Sequence, residues 1–243
     1  MGSQIMILEL QSLQKSFGAL RVTDDVTLGV ADGEALGIIG PNGAGKTTLF
    51  ALISGSLAPD AGTVKLDGVD ITALPAQARC RAGIARSHQV PLPFEKLTVF
   101  ENVLAAACFG QNKREREVTD FCGEVLEQTG LLSKANALGG VLTLLDRKRL
   151  ELARALATAP RVLLLDEIAG GLTEGECQVL VATIRAINAR GVTIVWIEHI
   201  VHALTAVVSR LVALNFGRVI AEGAPREVMA SAPVREVYLG SPV

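Results

Sequence analysis

The chain has 243 residues, and its 25 acidic side chains against 23 basic ones leave a formal net charge of −2. That balance provides no basic excess for a broad nucleic-acid surface, so nucleic acid is excluded as an expected partner. Hydrophobic residues make up 49% before the 24 glycines are added and charged residues only 20%, a balance that excludes disorder over most of the chain.

In chain order, Ile7-Leu8-Glu9-Leu10 and Val26-Thr27-Leu28-Gly29-Val30 read as short β-type runs, and Asp32-Gly33 makes a turn before Ala35-Leu36-Gly37-Ile38-Ile39. The last run is apolar throughout, the pattern of a strand buried on both faces of a parallel sheet. A further strand and turn follow at Gly62-Thr63-Val64-Lys65-Leu66-Asp67-Gly68. From about residue 99 to 158 the pattern turns helical, with the charged cluster Lys113-Arg114-Glu115-Arg116-Glu117 expected on a solvated helix face. The last third alternates buried strands and helices over residues 162–165, 176–189, 193–197 and 201–208. Such alternation argues for a doubly wound α/β core.

So apolar a chain raises the question of a membrane span. Its longest uncharged stretch, residues 47–59, has 13 residues and includes glycine, serine and threonine. A spanning helix needs roughly 17–25 apolar residues. The opening Met1-Gly2-Ser3-Gln4-Ile5-Met6 lacks the basic region of a secretory signal, and Met6 stands where a myristoylation site wants Ser or Thr. Cys80, Cys108, Cys122 and Cys177 lie far apart without metal-ligand spacing and read as buried small hydrophobes in a reducing compartment. The expectation is a cytoplasmic protein whose apolar excess needs a cause.

The strongest chemical signal is Gly40-Pro41-Asn42-Gly43-Ala44-Gly45-Lys46-Thr47, with Thr48 following, directly after a buried strand and before a helical run. It fits the phosphate-loop pattern in the context that pattern requires. Glycines let the backbone bend until several N–H groups face one anion at the positive end of the next helix. Lys46 then supplies a point charge for the β- and γ-phosphates of ATP, and the Thr47 hydroxyl a ligand for Mg2+. Downstream, an apolar run at residues 162–165 ends in Asp166-Glu167. A carboxylate at that end of a strand lies where open α/β sheets bind ligands. Asp166 is expected to hold Mg2+ through its water shell, and Glu167 to polarise the water attacking the γ-phosphate.

With these residues in place, the chain resembles the ATP-binding subunits of ABC transporters from about Ile7 to Gly240. The resemblance implies an α/β fold: a P-loop NTPase (RecA-like) core over about 7–90 and 159–243, an antiparallel β rim, and a helical subdomain inserted at about 91–158. It implies that Phe17, in Lys15-Ser16-Phe17-Gly18, stacks on adenine. Gln89, in Arg86-Ser87-His88-Gln89, matches a glutamine that touches Mg2+ and reports to the transmembrane partner. His199, in Trp196-Ile197-Glu198-His199, matches a histidine on the γ-phosphate. Closer likeness is to the branched-chain amino-acid-type importer group. It is carried by Gly83-Ile84-Ala85-Arg86, Leu150-Glu151-Leu152-Ala153-Arg154-Ala155-Leu156, the run from Leu214 through Gly223, and Glu236-Val237-Tyr238-Leu239-Gly240.

One departure is plain. Where the family has Leu-Ser-Gly-Gly-Gln or a near variant, this chain has Leu142-Thr143-Leu144-Leu145-Asp146. In the family that segment reaches the γ-phosphate held by an opposite subunit. Thr143 with Asp146 fits a capping box, so a helix can still start here, but Leu144 and Leu145 add bulk where glycine allows close approach. After Glu167 the family's usual proline and aspartate are replaced by Ile168-Ala169-Gly170-Gly171-Leu172-Thr173.

The resemblance therefore implies an ATP-hydrolysing subunit of an importer of a small solute, an amino acid or related compound. Its partners would be integral-membrane permease subunits, a second ATPase subunit, with a different chain favoured over a second copy of this one, and indirectly a solute-binding protein, with the chain resting on the cytoplasmic face of the membrane. Two alternatives stay open, a regulatory nucleotide-binding subunit with little hydrolysis and a soluble non-transport ABC ATPase. Part of the apolar excess would then fill the buried strands, and the rest would be surface covered by partners, the region beside Gln89 by the permease and the edge at residues 142–145 by the second ATPase.

Overall fold

The structure is a computed structural model that describes residues 6–239, with the side chains of Tyr238 and Leu239 left aside. The readings made for Met1 to Ile5 and for Gly240 lie outside the described residues. Two long strands open the chain, β1 (Met6–Phe17) and β2 (Leu20–Ala31), paired antiparallel. They extend well beyond the two short runs expected from the sequence, because the added residues mix polar side chains with buried Leu13 and Thr23 and exposed Phe17 and Leu20, and so leave no regular period. The strand β3 (Ala35–Ile39) leads into α1 (Lys46–Ser54), and β4 (Ala61–Leu66), β5 (Val69–Asp70), α2 (Ala76–Ala82) and β6 (Ile84–Arg86) follow. Then come α3 (Val99–Gln111), α4 (Glu115–Gln128) and α5 (Leu144–Ala157). The chain returns through β7 (Val162–Asp166), α6 (Glu174–Asn188), β8 (Thr193–Ile197), α7 (Val201–Thr205), β9 (Arg210–Asn215), β10 (Arg218–Gly223), α8 (Pro225–Ala230) and α9 (Ala232–Leu239).

The strands form two sheets. A six-stranded one runs β10-β9-β3-β8-β7-β6, parallel except for the terminal β10, and a four-stranded antiparallel one runs β2-β1-β4-β5. Every residue of β3, β7 and β8 is buried. Successive side chains divide between two cores: Leu163, Leu165, Ile194 and Trp196 face the helices, while Leu164, Val195 and Ile197 face the antiparallel sheet. Two covered faces explain why these strands read as unbroken apolar runs, with no alternation. Arg210 ties the sheets together, donating to the Gly29 carbonyl at 2.6 Å and pairing with Glu34 at 2.7 Å.

The charged cluster at 113–117 does not lie on one helix face. Asn112 ends α3 in the left-handed region, Arg114 caps α4, and Glu115 and Glu117 occupy its first turn. The Glu117 carboxylate accepts the Arg114 N–H at 3.0 Å, which places negative charge at the positive helix end. The run therefore marks a boundary between helices. Of the cysteines, Cys122 and Cys177 are buried, but Cys80 and Cys108 are only half-buried. Among the described residues no helix is long and apolar enough to cross a membrane.

Leu164 is fully buried in the central sheet, and Thr98 caps α3 in a complete capping box with Glu101. Leu164→Ala should cost about 2–5 kcal/mol of stability and Thr98→Ala about 1 kcal/mol, read from denaturant unfolding midpoints.

Candidate active site

Five buried residues of β3 deliver the chain to Gly40 at the C-terminal edge of the sheet. The loop that follows is pressed against its surroundings. A Cβ at Gly45, whose φ is 98°, would sit 2.4 Å from the Val22 carbonyl oxygen, so only glycine fits. Bonds from the Gly217 N–H to the Ala44 carbonyl (3.0 Å) and from the Asp24 N–H to the Gly217 carbonyl (2.9 Å) join β2, the loop and the β9–β10 turn. Helix α1 then starts with no side-chain cap and no acidic residue in its first turn, leaving free N–H groups and the positive helix end for an anion. Lys46 is folded over the loop, donating to the carbonyls of Gly40 (2.7 Å) and Pro41 (3.1 Å). Burial pulls its ammonium below the usual lysine range, against the opposing charges of Glu167 and Asp166. A cleft of about 180 Å3 opens beside it, lined by Asn42 through Thr48, Val22 and Glu167.

Asp166 ends β7 nearly buried, its Oδ2 2.7 Å from Nη2 of Arg86. Glu167 follows with φ 46°, a left-handed conformation that costs a non-glycine residue of order 1 kcal/mol. Its N–H still reaches the Ile197 carbonyl at 2.8 Å, so the twist turns the side chain toward the cleft without freeing the backbone. The carboxylate is held from two sides, with His199 Nε2 2.6 Å from one oxygen and Gln89 Nε2 donating to the other at 2.5 Å. Gln89 comes from the loop after β6 and His199 from the loop after β8, so three strand ends converge on one acid.

Two residues that sequence reasoning passed over support this arrangement. Glu198 is buried, accepting the N–H groups of His199 (2.9 Å) and Ile200 (3.4 Å) on one oxygen and that of Ala169 (3.0 Å) on the other. It thereby fastens the loop after Glu167 to the loop carrying His199. Lys148, buried on α5, donates to the Gln89 carbonyl at 3.4 Å. Burial lowers it below the usual lysine range, against the charges of Glu198 and Glu167. Val22 and Arg86 were also missed as site residues. Each acts on a partner distant in sequence, 80 positions away for Arg86 and Asp166, and no local spacing marks such a pair.

The remaining expected residues are not among those lining the phosphate-loop cleft. Phe17 is 52% exposed at the end of β1, with Lys15 Nζ 5.9 Å from its ring centre, and does not line the cleft. Leu142 to Asp146 do not line it either. Thr143 caps α5 by accepting the Asp146 N–H at 3.3 Å, but the return half of the expected capping box is not formed. The short Asp146 side chain turns instead to the Thr143 hydroxyl (2.9 Å), to Lys134 and to Arg149. Burial pushes the Asp146 carboxyl up, yet Lys134 and Thr143 outweigh it and hold it below the usual range. Leu142 is buried in the helical core, so the apolar edge expected over residues 142–145 is carried by Leu144, 45% exposed, with Leu145 half-buried.

A buried lysine over a glycine loop, an uncapped helix start and a carboxylate pair at the sheet edge form a nucleotide-binding site of the P-loop class. The ABC transporter family model matches residues 23–170, and the chain belongs to that family: it is the ATP-binding, ATP-hydrolysing subunit of a transporter. A high-affinity branched-chain amino acid transport ATP-binding protein from Pseudomonas aeruginosa is 34% identical, covering 96% of this chain and 98% of the relative. Lipopolysaccharide export system ATP-binding proteins are similar to the same degree, at 36% identity in Acidithiobacillus ferridurans and 34% in Escherichia coli K12, each covering 96% of this chain and 97% of the relative. A solved ATP-binding cassette of an ABC transporter in its ADP conformation superposes with a TM-score of 0.89 at 30% identity, covering 97% of this chain and 99% of that one. Lys46→Ala should weaken ATP binding by roughly tenfold or more, measured by equilibrium titration with a fluorescent ATP analogue.

Proposed function

We propose that this chain powers the import of a small solute, an amino acid or related compound, by hydrolysing Mg2+-ATP from the cytoplasmic face of the membrane. Hydrolysis rests on one arrangement, the Glu167 carboxylate at the edge of the phosphate-loop cleft with Gln89 and His199 on its two oxygens. Lys46 and the loop N–H groups bind the β- and γ-phosphates, Glu167 accepts a proton from the attacking water, and His199 donates to a γ-phosphate oxygen. Phe17 flanks the adenine. The oxygens of Thr47, Asp166 and Gln89 suit a small hard cation. Among the described residues no cluster of His, Cys, Asp and Glu would hold a metal alone, which fits an ion that keeps water and phosphate ligands. Mg2+, when bound, supplies charge neutralisation on the phosphate oxygens.

Each Glu167 oxygen accepts one protein hydrogen bond and keeps acceptor capacity for a water. Gln89 is the donor whose movement would redirect the carboxylate in this reading. Its loop is strapped to the helical part, residues 91–158, through Lys148 on the Gln89 carbonyl, Arg154 on the Leu92 carbonyl at 2.8 Å, and the Arg154 guanidinium 5.0 Å from the Phe94 ring. Val90, Leu92 and Phe94 are exposed at 64%, 74% and 52%, a surface suited to a permease subunit. A groove of about 280 Å3 beside it, lined by Cys80, Arg86, His88 and Arg154 among others, receives part of the same partner. A solute-binding protein would act through that permease. Import is favoured by the segments shared with the branched-chain amino-acid-type group and by the amino-acid transport relative. Lipopolysaccharide export, the role of the other relatives, is the second reading, favoured by their equal identity over equal coverage.

The second ATPase subunit is a different chain in this proposal. Asp146 is consumed by Lys134, Thr143 and Arg149, and Leu144 takes the place of a glycine in the family signature that would reach a phosphate. This chain's own cleft would be completed by a partner with an ordinary signature, and the opposite site would be the weaker one.

Glu167→Gln should cut ATP hydrolysis by about 100-fold or more while ATP binding persists, measured on the purified complex; unchanged hydrolysis removes Glu167 from the base role. Restoring glycine with Leu144→Gly and Leu145→Gly should raise turnover of the assembled pair, and no rise would clear these leucines. Purification from membranes, followed by uptake assays with the recovered permease in vesicles, separates an amino-acid importer from a lipopolysaccharide exporter.

A further inference from the structure

Arg86 touches both the candidate metal site and the groove behind it. It ends β6, an edge strand paired parallel to β7, and its side chain reaches across to the last residue of that strand. Nη2 lies 2.7 Å from Oδ2 of Asp166, with the two side chains only 13% and 5% exposed. The guanidinium carbon is 5.8 Å from the centre of the Phe50 ring, on the helix that follows the phosphate loop. Nε is buried with no hydrogen-bond partner. The same side chain lines the groove that also holds Cys80, His88 and Arg154.

A carboxylate suited to a divalent cation is thus already paired with a cation of the protein. Asp166 and Glu167 adjoin, and Glu198 is buried at the end of the neighbouring strand, so neutralisation at Asp166 relieves repulsion among acids. With nucleotide bound, Asp166, holding Mg2+ through its water shell, would face two cations, and the Arg86 guanidinium and the ion would repel each other across a poorly solvated space. Moving Arg86 toward the groove relieves that repulsion, and the groove is the open space its side chain already lines. We propose that Arg86 is a positioning residue that stands in for the metal charge at Asp166 and makes the Mg2+ requirement depend on what fills the groove. The proposal rests on the reading of Asp166 as a metal-site residue. Nothing in the motif spacing assigns Arg86 this role.

The test uses the full chain in a Glu167→Gln background, so that nucleotide is not consumed. Mg2+ is titrated at fixed ATP and the midpoint read from the shift in thermal unfolding. Arg86→Gln keeps a hydrogen-bond donor for Asp166 but drops the charge, and should lower the Mg2+ midpoint roughly threefold or more. Arg86→Lys keeps the charge and should stay near the starting value. An unchanged or raised midpoint in Arg86→Gln overturns the stand-in role. A starting chain whose ATP-dependent unfolding shift ignores Mg2+ would instead overturn the metal-site reading beneath it. Linkage between the two places is read separately, with an environment-sensitive thiol probe on Cys80 in a Cys108→Ser background. Since coupling between sites is reciprocal, Mg2+-ATP should change the probe's emission when Arg86 is present and leave it unchanged in Arg86→Gln. Equal responses in both chains overturn the link to the groove.

Discussion

The Glu167 carboxylate is the point on which the site is organised. One oxygen meets His199 and the other Gln89, while the residue's own backbone is held in a left-handed turn by the last carbonyl of β8. An acid placed this way has its direction set by three separate stretches of chain. Glu198 fixes one of them by bonding to N–H groups on both sides, and the helical region fixes another through Lys148 and Arg154. Movement of the helical region is thereby felt at the carboxylate that would take the proton from water. A group so constrained can be switched by displacing one donor, without rebuilding the fold.

The charges around it are nearly balanced within a small volume. Lys46, Lys148 and Arg86 face Asp166, Glu167 and Glu198, and burial lowers both lysines against the charges of the acids. Burying isolated charges is costly, and pairing them is what makes such a cluster tolerable. The arrangement also means that a nucleotide with its cation enters a neutralised site and must redistribute existing pairs. That redistribution provides a physical route from phosphate binding to the surface where a membrane partner would rest. At the start of α5, two residues before Lys148, Asp146 is similarly enclosed by Lys134, Arg149 and Thr143, so this helix start spends its carboxylate internally.

Much of the fold was legible from local pattern. Strands β3, β7 and β8 announced themselves as unbroken apolar runs because both faces of the sheet are covered, and the phosphate loop because each residue of the motif is contiguous. The extensions of β1 and β2 were not legible, since their mixture of polar, buried and exposed apolar residues has no regular period. The charged run at 113–117 was misread as a face because charge marks solvent exposure equally well at a helix junction. The family resemblance supplied Gln89 and His199, which no spacing rule singles out, and the structure brings both onto Glu167. Phe17 is exposed at the end of β1, outside the lining of the phosphate-loop cleft, to which Val22 of β2 contributes.

By itself the sequence determined the class of fold, the phosphate loop, the acidic pair after β7 and membership of the ABC transporter family, all written in contiguous residues or in runs with a simple period. Tertiary structure alone decided that Arg86 sits on Asp166, that Lys148 and Glu198 stand behind Glu167, and that Asp146 turns inward. Each of these depends on side chains carried together by different strands and helices. Contacts of that kind are set by strand order and helix packing, which no local pattern of residues encodes.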